Sequence, residues 1–261
     1  MTLFIYDHTF DGILSCIFYA YEHKTFPDEI ISDTDQRPLF VDELYHIETD
    51  EKKSQRVWTA LERKLSKSAQ NMALLVWLSE LPEREMLLFR YFRKIIDHQQ
   101  GFEMNFGDSD VLRVKEIAQK VNGEAEKIRQ FVRFQKTKDG IFFAPISSRY
   151  NVLGLVAPHF RSRYSDQCWI IYDMARNFGL YYNIHSLQEI TFSLENLKNF
   201  ESKKLGNEKL SETEIYYQNL WKEYFETIAI KERFNPKLQR QHMPKRFWKY
   251  LTEMQIKTRS I

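Results

Sequence analysis

Three groups of polar side chains in this sequence could take part in chemistry, and the first is centred on a histidine. His159 stands between Pro158 and Phe160, and Arg161 and Arg163 follow it closely. A histidine in this position could act as a general acid or base, or could hydrogen-bond a phosphate. The competing interpretation is a structural histidine packed beside an aromatic ring. The residues alone leave both interpretations open.

The second group contains two aspartates near the N-terminus. Asp7 and Asp11 flank His8 at the point where a predicted strand ends and a predicted helix begins. Such a crevice can hold a metal or a polar ligand. Asp7 could instead form a turn, and Asp11 could cap the helix. Helix capping is the favoured interpretation for Asp11, whereas Asp7 remains a candidate for a site.

The third group is Asp173 with Arg176. The two residues either form an ion pair that orders a turn, or belong to a polar pocket with His159. The candidate catalytic residues are therefore His159, Asp173 and Asp7. We find no phosphate-binding loop, nucleophile elbow, zinc-protease helix or dinucleotide fingerprint, and we predict neither a metal site nor a cofactor.

Charge is segregated along the chain, although the net charge is only +2. Residues 231–261 hold nine Lys/Arg and two acids, so the remainder has 29 basic and 34 acidic residues, a net of −5. Residues 127–164 add eight Lys/Arg against one acid, whereas the first fifty residues have eleven acids and two basic residues. Cations interleaved with aromatic residues favour a nucleic-acid partner over a merely solvated surface.

The residues expected to contact nucleic acid come from these two basic segments. We expect phosphate contacts from cations and stacking on an exposed base from an aromatic ring. The phosphate-contacting candidates are Arg133, Lys136, Arg161, Arg163, Arg233, Lys245 and Arg246, and the stacking candidates are Phe160 and Trp248.

Apolar periodicity and turn residues predict an α+β protein that is mainly helical with small antiparallel sheets. A ββαββ unit is expected over about 131–184, with Lys138-Asp139-Gly140 as a hairpin turn. Residues 109–133 are expected to form helix, turn and helix, with the turn at 121–124. The other predicted elements are strands at 3–6 and 45–48 and helices at 12–23, 51–65, 69–97 with a break at Pro82, 152–164 and 211–232.

The length of 261 residues allows one domain, 1–261, or a division into an acidic α/β part, 1–105, and a basic α+β part, 106–261. Cys16 and Cys168 are too far apart in sequence to suggest a zinc site or a disulfide framework. No apolar run is long enough to span a bilayer and the N-terminus lacks signal-peptide features, so we expect a cytoplasmic protein.

Several separated blocks of this sequence resemble one bacterial family, described as "probable DNA metabolism protein". The blocks lie at residues 5–12, 131–134, 157–163, 169–173, 233–236 and 243–248. The resemblance implies a genetic neighbour that is a radical-SAM protein of DNA modification or repair, and in some relatives a fused uracil-DNA-glycosylase-like domain. The chain's two cysteines cannot hold the iron–sulfur cluster of a radical-SAM enzyme. The family pattern makes His159 the first choice for a functional residue.

The leading functional hypothesis is a DNA-binding accessory factor in DNA repair or modification that acts with a radical-SAM partner. In this hypothesis the acidic N-terminal surface meets the protein partner. A second hypothesis is an enzyme acting on DNA or nucleotides through His159, Asp173 and Asp7. A third is a winged-helix regulator built from residues 109–144, whose second helix reads the major groove and whose Lys136–Lys138 hairpin is the wing. The sequence does not fix the reaction or the oligomeric state.

Overall fold

A computed structural model describes residues 1–192, 210–228 and 235–255. The chain forms two compact units, Met1–Asn122 (unit 1) and Gly123–Ile261 (unit 2). Helices are the dominant element in the described ranges, and the sheets are small, so the predicted α+β class is confirmed. The proposal that the whole chain is a single family domain stays a prediction.

The strands and helices follow in chain order. The strands are β1 Thr2–Tyr6, β2 Glu29–Ser32, β3 Glu43–His46, β4 Gln135–Lys136, β5 Phe142–Ile146, β6 Trp169–Asp173, β7 Phe178–Tyr182 and β8 Leu187–Ile190. The helices are α1 Phe10–His23, α2 Glu51–Lys64, α3 Lys67–Leu78, α4 Arg84–Asp97, α5 Ser109–Phe131, α6 Leu153–Arg163, α7 Glu212–Ile228, α8 Pro236–His242 and α9 Lys245–Trp248.

Unit 1 is built on a three-stranded sheet in the order β2-β1-β3. Both neighbours pair with β1 in parallel, so the prediction of antiparallel sheets is wrong for this part of the chain. The reason is that α1 carries the chain from β1 back to the start of β2, and a parallel pair needs such a crossover. Four buried residues of β1, from Leu3 to Tyr6, form the centre of the unit 1 core.

Unit 2 contains a five-stranded sheet in the order β4-β5-β6-β7-β8. The predicted ββαββ order is present, and three of the four strand pairs of this sheet are antiparallel. The β5–β6 pair is parallel, because α6 connects the two strands as a crossover. At the tip of the β4–β5 hairpin, Gly140 has φ = 82°, a backbone conformation that glycine adopts without strain.

Helix α5 corrects the winged-helix hypothesis. The predicted turn at 121–124 lies inside this helix, which is continuous from Ser109 to Phe131. Val121, Ala125 and Ile128 are buried along one face, so the apolar stripe continues through Gly123. The separate recognition helix that a winged-helix protein needs is therefore not formed by these residues.

None of the helices in the three described ranges combines the length and the apolar composition that crossing a bilayer requires.

Helix α5 begins with a polar cluster in unit 1. Asp108 caps the helix by accepting from the backbone N–H of Asp110 and of Val111. Lys94 contacts the carboxylates of Asp108 and Asp110 at 2.7 and 2.8 Å, and Arg90 contacts Asp110 at 3.0 Å.

This cluster predicts how the stability of the protein depends on pH. Burial acts to raise the pKa of Asp110, but hydrogen bonds from Arg90 and Lys94 outweigh it and lower that pKa below its usual value of 3.8. A carboxylate with a lowered pKa stabilises the fold above the unfolded-state pKa, and this contribution is lost as the pH falls below 3.8. Asp110→Asn should therefore lower the melting temperature at pH 7, and the difference from the parent protein should narrow as the pH approaches 3.

The exposed Asp139 provides the control for this measurement, since it forms no ion pair among the described residues. Asp139→Asn should leave the melting temperature unchanged at both pH values. An Asp110→Asn difference that stays constant between pH 7 and pH 3 would show that the ion pairs do not stabilise the fold.

Candidate nucleic-acid interface

A cleft of about 820 Å³ lies in unit 2. It lies between helix α7 and the segments around β4, β5 and the start of β6. Most of its large side chains are aromatic, and we call it the aromatic cleft. Its aromatic lining residues are Phe134, Phe142, Tyr164, Trp169, Tyr217, Trp221 and Tyr224.

Helix α7 supplies one side of the aromatic cleft. Tyr217, Trp221 and Tyr224 recur at spacings of four and three residues, so the helix presents them on one face. Such an aromatic face is often buried, but here Tyr217 is 63% exposed and Tyr224 is 54% exposed. Concave surfaces that leave large aromatic rings in contact with water mark binding sites.

Three cations lie against rings of the aromatic cleft. Lys136 Nζ is 5.7 Å from the centre of the Phe142 ring, and Arg163 Cζ is 5.9 Å from the centre of the Tyr164 ring. Arg133 Cζ is 5.6 Å from the centre of the Trp221 ring. Lys136 and Arg163 are exposed and form no ion pair among the described residues, so both remain available to a ligand phosphate.

Arg133 differs from these two residues because it is already engaged. Its Nη2 donates to Glu253 Oε1 at 2.8 Å, and Glu253 is only 4% exposed. Glu253 also accepts a hydrogen bond from Trp221 Nε1 at 3.0 Å. The predicted phosphate contact of Arg133 is therefore not supported by its position, since its charge is balanced by a buried carboxylate.

Arg246, in the basic C-terminal segment, is engaged in the same way. Its guanidinium contacts both carboxylate oxygens of Glu124, a residue that is 2% exposed. The Glu124 carboxylate accepts a further hydrogen bond from the Arg149 backbone N–H at 2.9 Å. The predicted phosphate contact of Arg246 is therefore corrected to an internal ion pair.

The three other predicted residues of the basic C-terminal segment differ in their surroundings. Lys245 is exposed and forms no ion pair among the described residues. Trp248 donates its indole N–H to the Met243 carbonyl at 2.9 Å and is partly buried, which leaves its role in stacking a prediction. Arg233 lies outside the described residues.

The predicted site residues of helix α6, His159 and its neighbours, lie on two different faces of the helix. His159, Arg161 and Arg163 are exposed, whereas Phe160 is 2% exposed and packs edge-on against Phe134. Phe160 is therefore a core residue, and its predicted stacking on a base does not fit this structure. His159 makes an edge contact with the Phe160 ring at 5.1 Å.

Asp173 is completely buried, and both of its carboxylate oxygens are occupied. Oδ2 accepts from the Ser148 hydroxyl at 2.6 Å and from Arg176 Nη1 at 2.9 Å, and Oδ1 accepts from the Ala175 backbone N–H at 3.0 Å. These contacts order the turn between β6 and β7. Asp173 therefore has the structural role that the sequence allowed, and it is not exposed beside His159.

Asp7, in unit 1, forms a turn. Its Oδ1 accepts from the backbone N–H of Thr9 at 3.1 Å and from the Thr9 hydroxyl at 2.7 Å. Burial acts to raise the pKa of Asp7, but hydrogen bonds from Thr9 and Thr49 outweigh it and lower that pKa. Helix α1 is capped by Thr9, which accepts from Gly12 N–H, so the predicted N-cap at Asp11 is wrong by two residues.

A second cavity, of about 650 Å³, lies in unit 1 beside His8. His8 has φ = 61°, and its ring nitrogen contacts the guanidinium of Arg84. Arg84 is 5% exposed, donates from Nε to Glu85 Oε1 at 2.9 Å and lies over the Trp77 ring. Sequence reasoning missed Arg84 and Glu85, because the contact with His8 spans 76 residues. In the three described ranges, no group of His, Cys, Asp and Glu side chains has an arrangement that could hold a metal ion.

The chain belongs to the family DUF4130, a domain of unknown function, which matches residues 82–253. None of the curated proteins compared with it matches. Among solved structures, the chain is similar to the pGpG-specific phosphodiesterase PggH from Vibrio cholerae, with 9% sequence identity and a TM-score of 0.33. That match covers 77% of this chain and 97% of the other.

The corrected role of Arg246 leads to a stability prediction. Arg246→Ala leaves the Glu124 carboxylate buried without its cation, which should destabilise unit 2 by roughly 3 kcal/mol. Lys245→Ala is the matched control, because the neighbouring lysine is exposed and its removal should change stability by less than about 0.5 kcal/mol. Chemical denaturation of both variants measures the difference, and equal stability would show that the ion pair is not needed.

Proposed function

We propose that this protein binds DNA through unit 2 and acts as an accessory factor in DNA repair or modification. The observation that carries the proposal is the pairing of exposed cations with rings of the aromatic cleft, Lys136 at Phe142 and Arg163 at Tyr164. Cations that track a phosphate backbone beside aromatic rings that stack on bases are typical of single-stranded nucleic-acid binding surfaces. The role in DNA repair and the cytoplasmic location that we propose are inferred from the sequence alone.

The enzyme hypothesis receives less support from the positions of its residues. Asp173 is buried, with hydrogen bonds to both oxygens, and Asp7 is held in a turn by Thr9. A general base must reach the proton that it removes, and a fully enclosed carboxylate does not. His159 is exposed on α6, where it would lie next to bound phosphates rather than in an enclosed pocket.

Salt dependence tests the proposal directly. Lys136, Lys138, Arg161 and Arg163 are exposed on the β4–β5 hairpin and on α6. If these four cations contact phosphates of a single strand, log K should fall against log salt with a slope of about −3. Lys136→Glu with Arg163→Glu should weaken binding roughly tenfold or more at low salt and make the slope shallower by about 1.4.

The control for the charge reversal is Lys52→Glu with Arg63→Glu. Both residues are exposed on α2 in unit 1, so the change in net charge is the same. Fluorescence anisotropy with a labelled strand should show that the control keeps nearly the parent affinity and salt slope. A flat salt response of the parent protein, or equal weakening by both double variants, contradicts the proposed interface.

We also propose that unit 1 binds the protein partner that the family resemblance implies, a radical-SAM protein. Two neighbouring apolar side chains, Leu39 and Phe40, are 94% and 86% exposed in the acidic segment between β2 and β3. Exposed apolar residues of this size serve as anchors in protein interfaces. The segment is held at one end by a hydrogen bond from Asp33 N–H to the Tyr6 carbonyl and at the other by one from Asp42 N–H to the Met1 carbonyl.

Co-expression with the neighbouring radical-SAM protein tests this surface. Leu39→Ser with Phe40→Ser should abolish co-elution on a tag carried by the radical-SAM protein, and should leave the melting temperature unchanged because both side chains are exposed. Met104→Ser is the control, since Met104 is also exposed in unit 1 but lies in another segment. Retained co-elution of the double variant would contradict the assignment of Leu39 and Phe40.

A further inference from the structure

The aromatic cleft has a lining that suits a flat heterocycle. Tyr217, Trp221 and Tyr224 line it from α7, and Phe134 and Trp169 line it from the other side. A base stacks on such rings regardless of its identity, because every base has a π-face. The ring contacts therefore favour a nucleobase over a ligand that consists only of phosphate.

Polar groups inside the cleft can hydrogen-bond the edge of such a ring. Gln218 Nε2 donates to Glu214 Oε1 at 2.9 Å, and Glu214 Oε2 accepts from the Lys136 backbone N–H at 3.1 Å. Gln167 also lines the cleft, and its carboxamide makes no hydrogen bond within the described ranges. A carboxamide offers a donor and an acceptor side by side, which matches the mixed pattern along a base edge.

Two donors among the residues that line the cleft lack an acceptor. Trp169 is 1% exposed, and within the described ranges its indole N–H has no hydrogen-bond partner. The Nε–H of Arg133 is in the same situation. A buried N–H without an acceptor costs about 1–3 kcal/mol, and such groups are few in folded proteins. Both N–H groups are inaccessible to solvent, so they do not themselves contact a ligand in the cleft, and the support for a ligand comes from the exposed rings and cations.

The charged side chains in and around the aromatic cleft determine whether the base or the phosphate of a nucleotide enters it. The Glu214 carboxylate lies inside the cleft and repels phosphate, whereas the exposed cations Lys136 and Arg163 lie beside rings in its lining. A base in the cleft with its phosphates on Lys136 and Arg163 satisfies both conditions. A base inside a duplex is stacked and paired, so it can enter such a cleft only after it leaves the stack.

We propose that the aromatic cleft binds one unpaired nucleobase, supplied either by a DNA strand or by a free nucleotide. This inference rests on the proposed function and narrows it, because it assigns recognition to the base rather than to the phosphate backbone alone. Tyr217 stacks on the base, Gln167 and Gln218 hydrogen-bond its edge, and Lys136 and Arg163 hold the flanking phosphates.

Binding of the full chain to four nucleic-acid probes at low salt tests the inference. The probes are a short thymidine strand, a strand of the same length made of abasic sites, the matching duplex, and free thymidine monophosphate as a competitor. We expect the thymidine strand to bind roughly tenfold or more tightly than the abasic strand, since stacking contributes about 1–3 kcal/mol per base. Displacement by the monophosphate identifies a free nucleotide as a sufficient source of the base, and failure of displacement restricts the source to a strand.

A pair of neighbouring tyrosines provides matched variants. Tyr217 lines the cleft and is 63% exposed, whereas Tyr216 is 61% exposed and does not line it. Tyr217→Ala should weaken binding of the thymidine strand roughly 5- to 100-fold without changing the melting temperature or the affinity for the abasic strand. Tyr216→Ala should change neither affinity.

The possible failures are distinguishable. Equal affinity for the thymidine and abasic strands, or equal effects of the two tyrosine variants, overturns the assignment of the cleft to a base and leaves DNA binding intact. Tighter binding of the duplex than of the thymidine strand also overturns it. Absence of binding to every probe at low salt overturns the proposed function itself.

Discussion

The cleft in unit 2 depends on one buried carboxylate. Glu253 is 4% exposed and accepts hydrogen bonds from Arg133 Nη2 and Trp221 Nε1. These contacts connect the segment before β4, helix α7 and the last described turn, which are far apart in sequence. A buried charge persists in a fold only when it is paired and hydrogen-bonded. Arg133 and Trp221 are therefore held at Glu253, and the α7 side of the cleft is fixed relative to β4.

The requirement that a buried carboxylate be paired also explains which cations remain unpaired in the described part of the chain. Composition alone could not show which cations these are. The basic segments were found by counting Lys and Arg, but Arg133 and Arg246 are neutralised by Glu253 and Glu124, from which they are separated by 120 and 122 residues. A count of charges within a segment takes no account of acidic residues that are distant in sequence and close in space. Lys136 and Arg163 have no acidic partner among the described residues, so they retain the accessible charge that the sequence assigned to the whole segment.

Secondary structure was predictable wherever local signals agreed. Pro82 separates α3 from α4, and Gly140 forms the tip of the β4–β5 hairpin, as the sequence indicated. The turn predicted at 121–124 is wrong because a single glycine, Gly123, is tolerated inside a helix when the buried face continues on both sides of it. Strand β2 was missed because it is short and lies in a segment rich in Pro and Asp, where its parallel pairing with β1 leaves no local pattern.

The two cavities differ in how completely their polar groups are satisfied. In unit 1 each of the three guanidinium nitrogens of Arg84 has a partner, in Glu85, the Trp77 carbonyl and His8. A fully satisfied buried network fixes one arrangement of side chains and needs nothing from outside. In unit 2 the N–H groups of Trp169 and Arg133 are left without an acceptor among the described residues. Within the described ranges, unsatisfied buried atoms also occur in unit 1, at Tyr91 Oη and Glu103 Oε2, so they do not by themselves mark a ligand site. The exposed rings of α7 and the cations Lys136 and Arg163, which are unpaired among the described residues, favour the aromatic cleft over the cavity beside His8 as the proposed binding site.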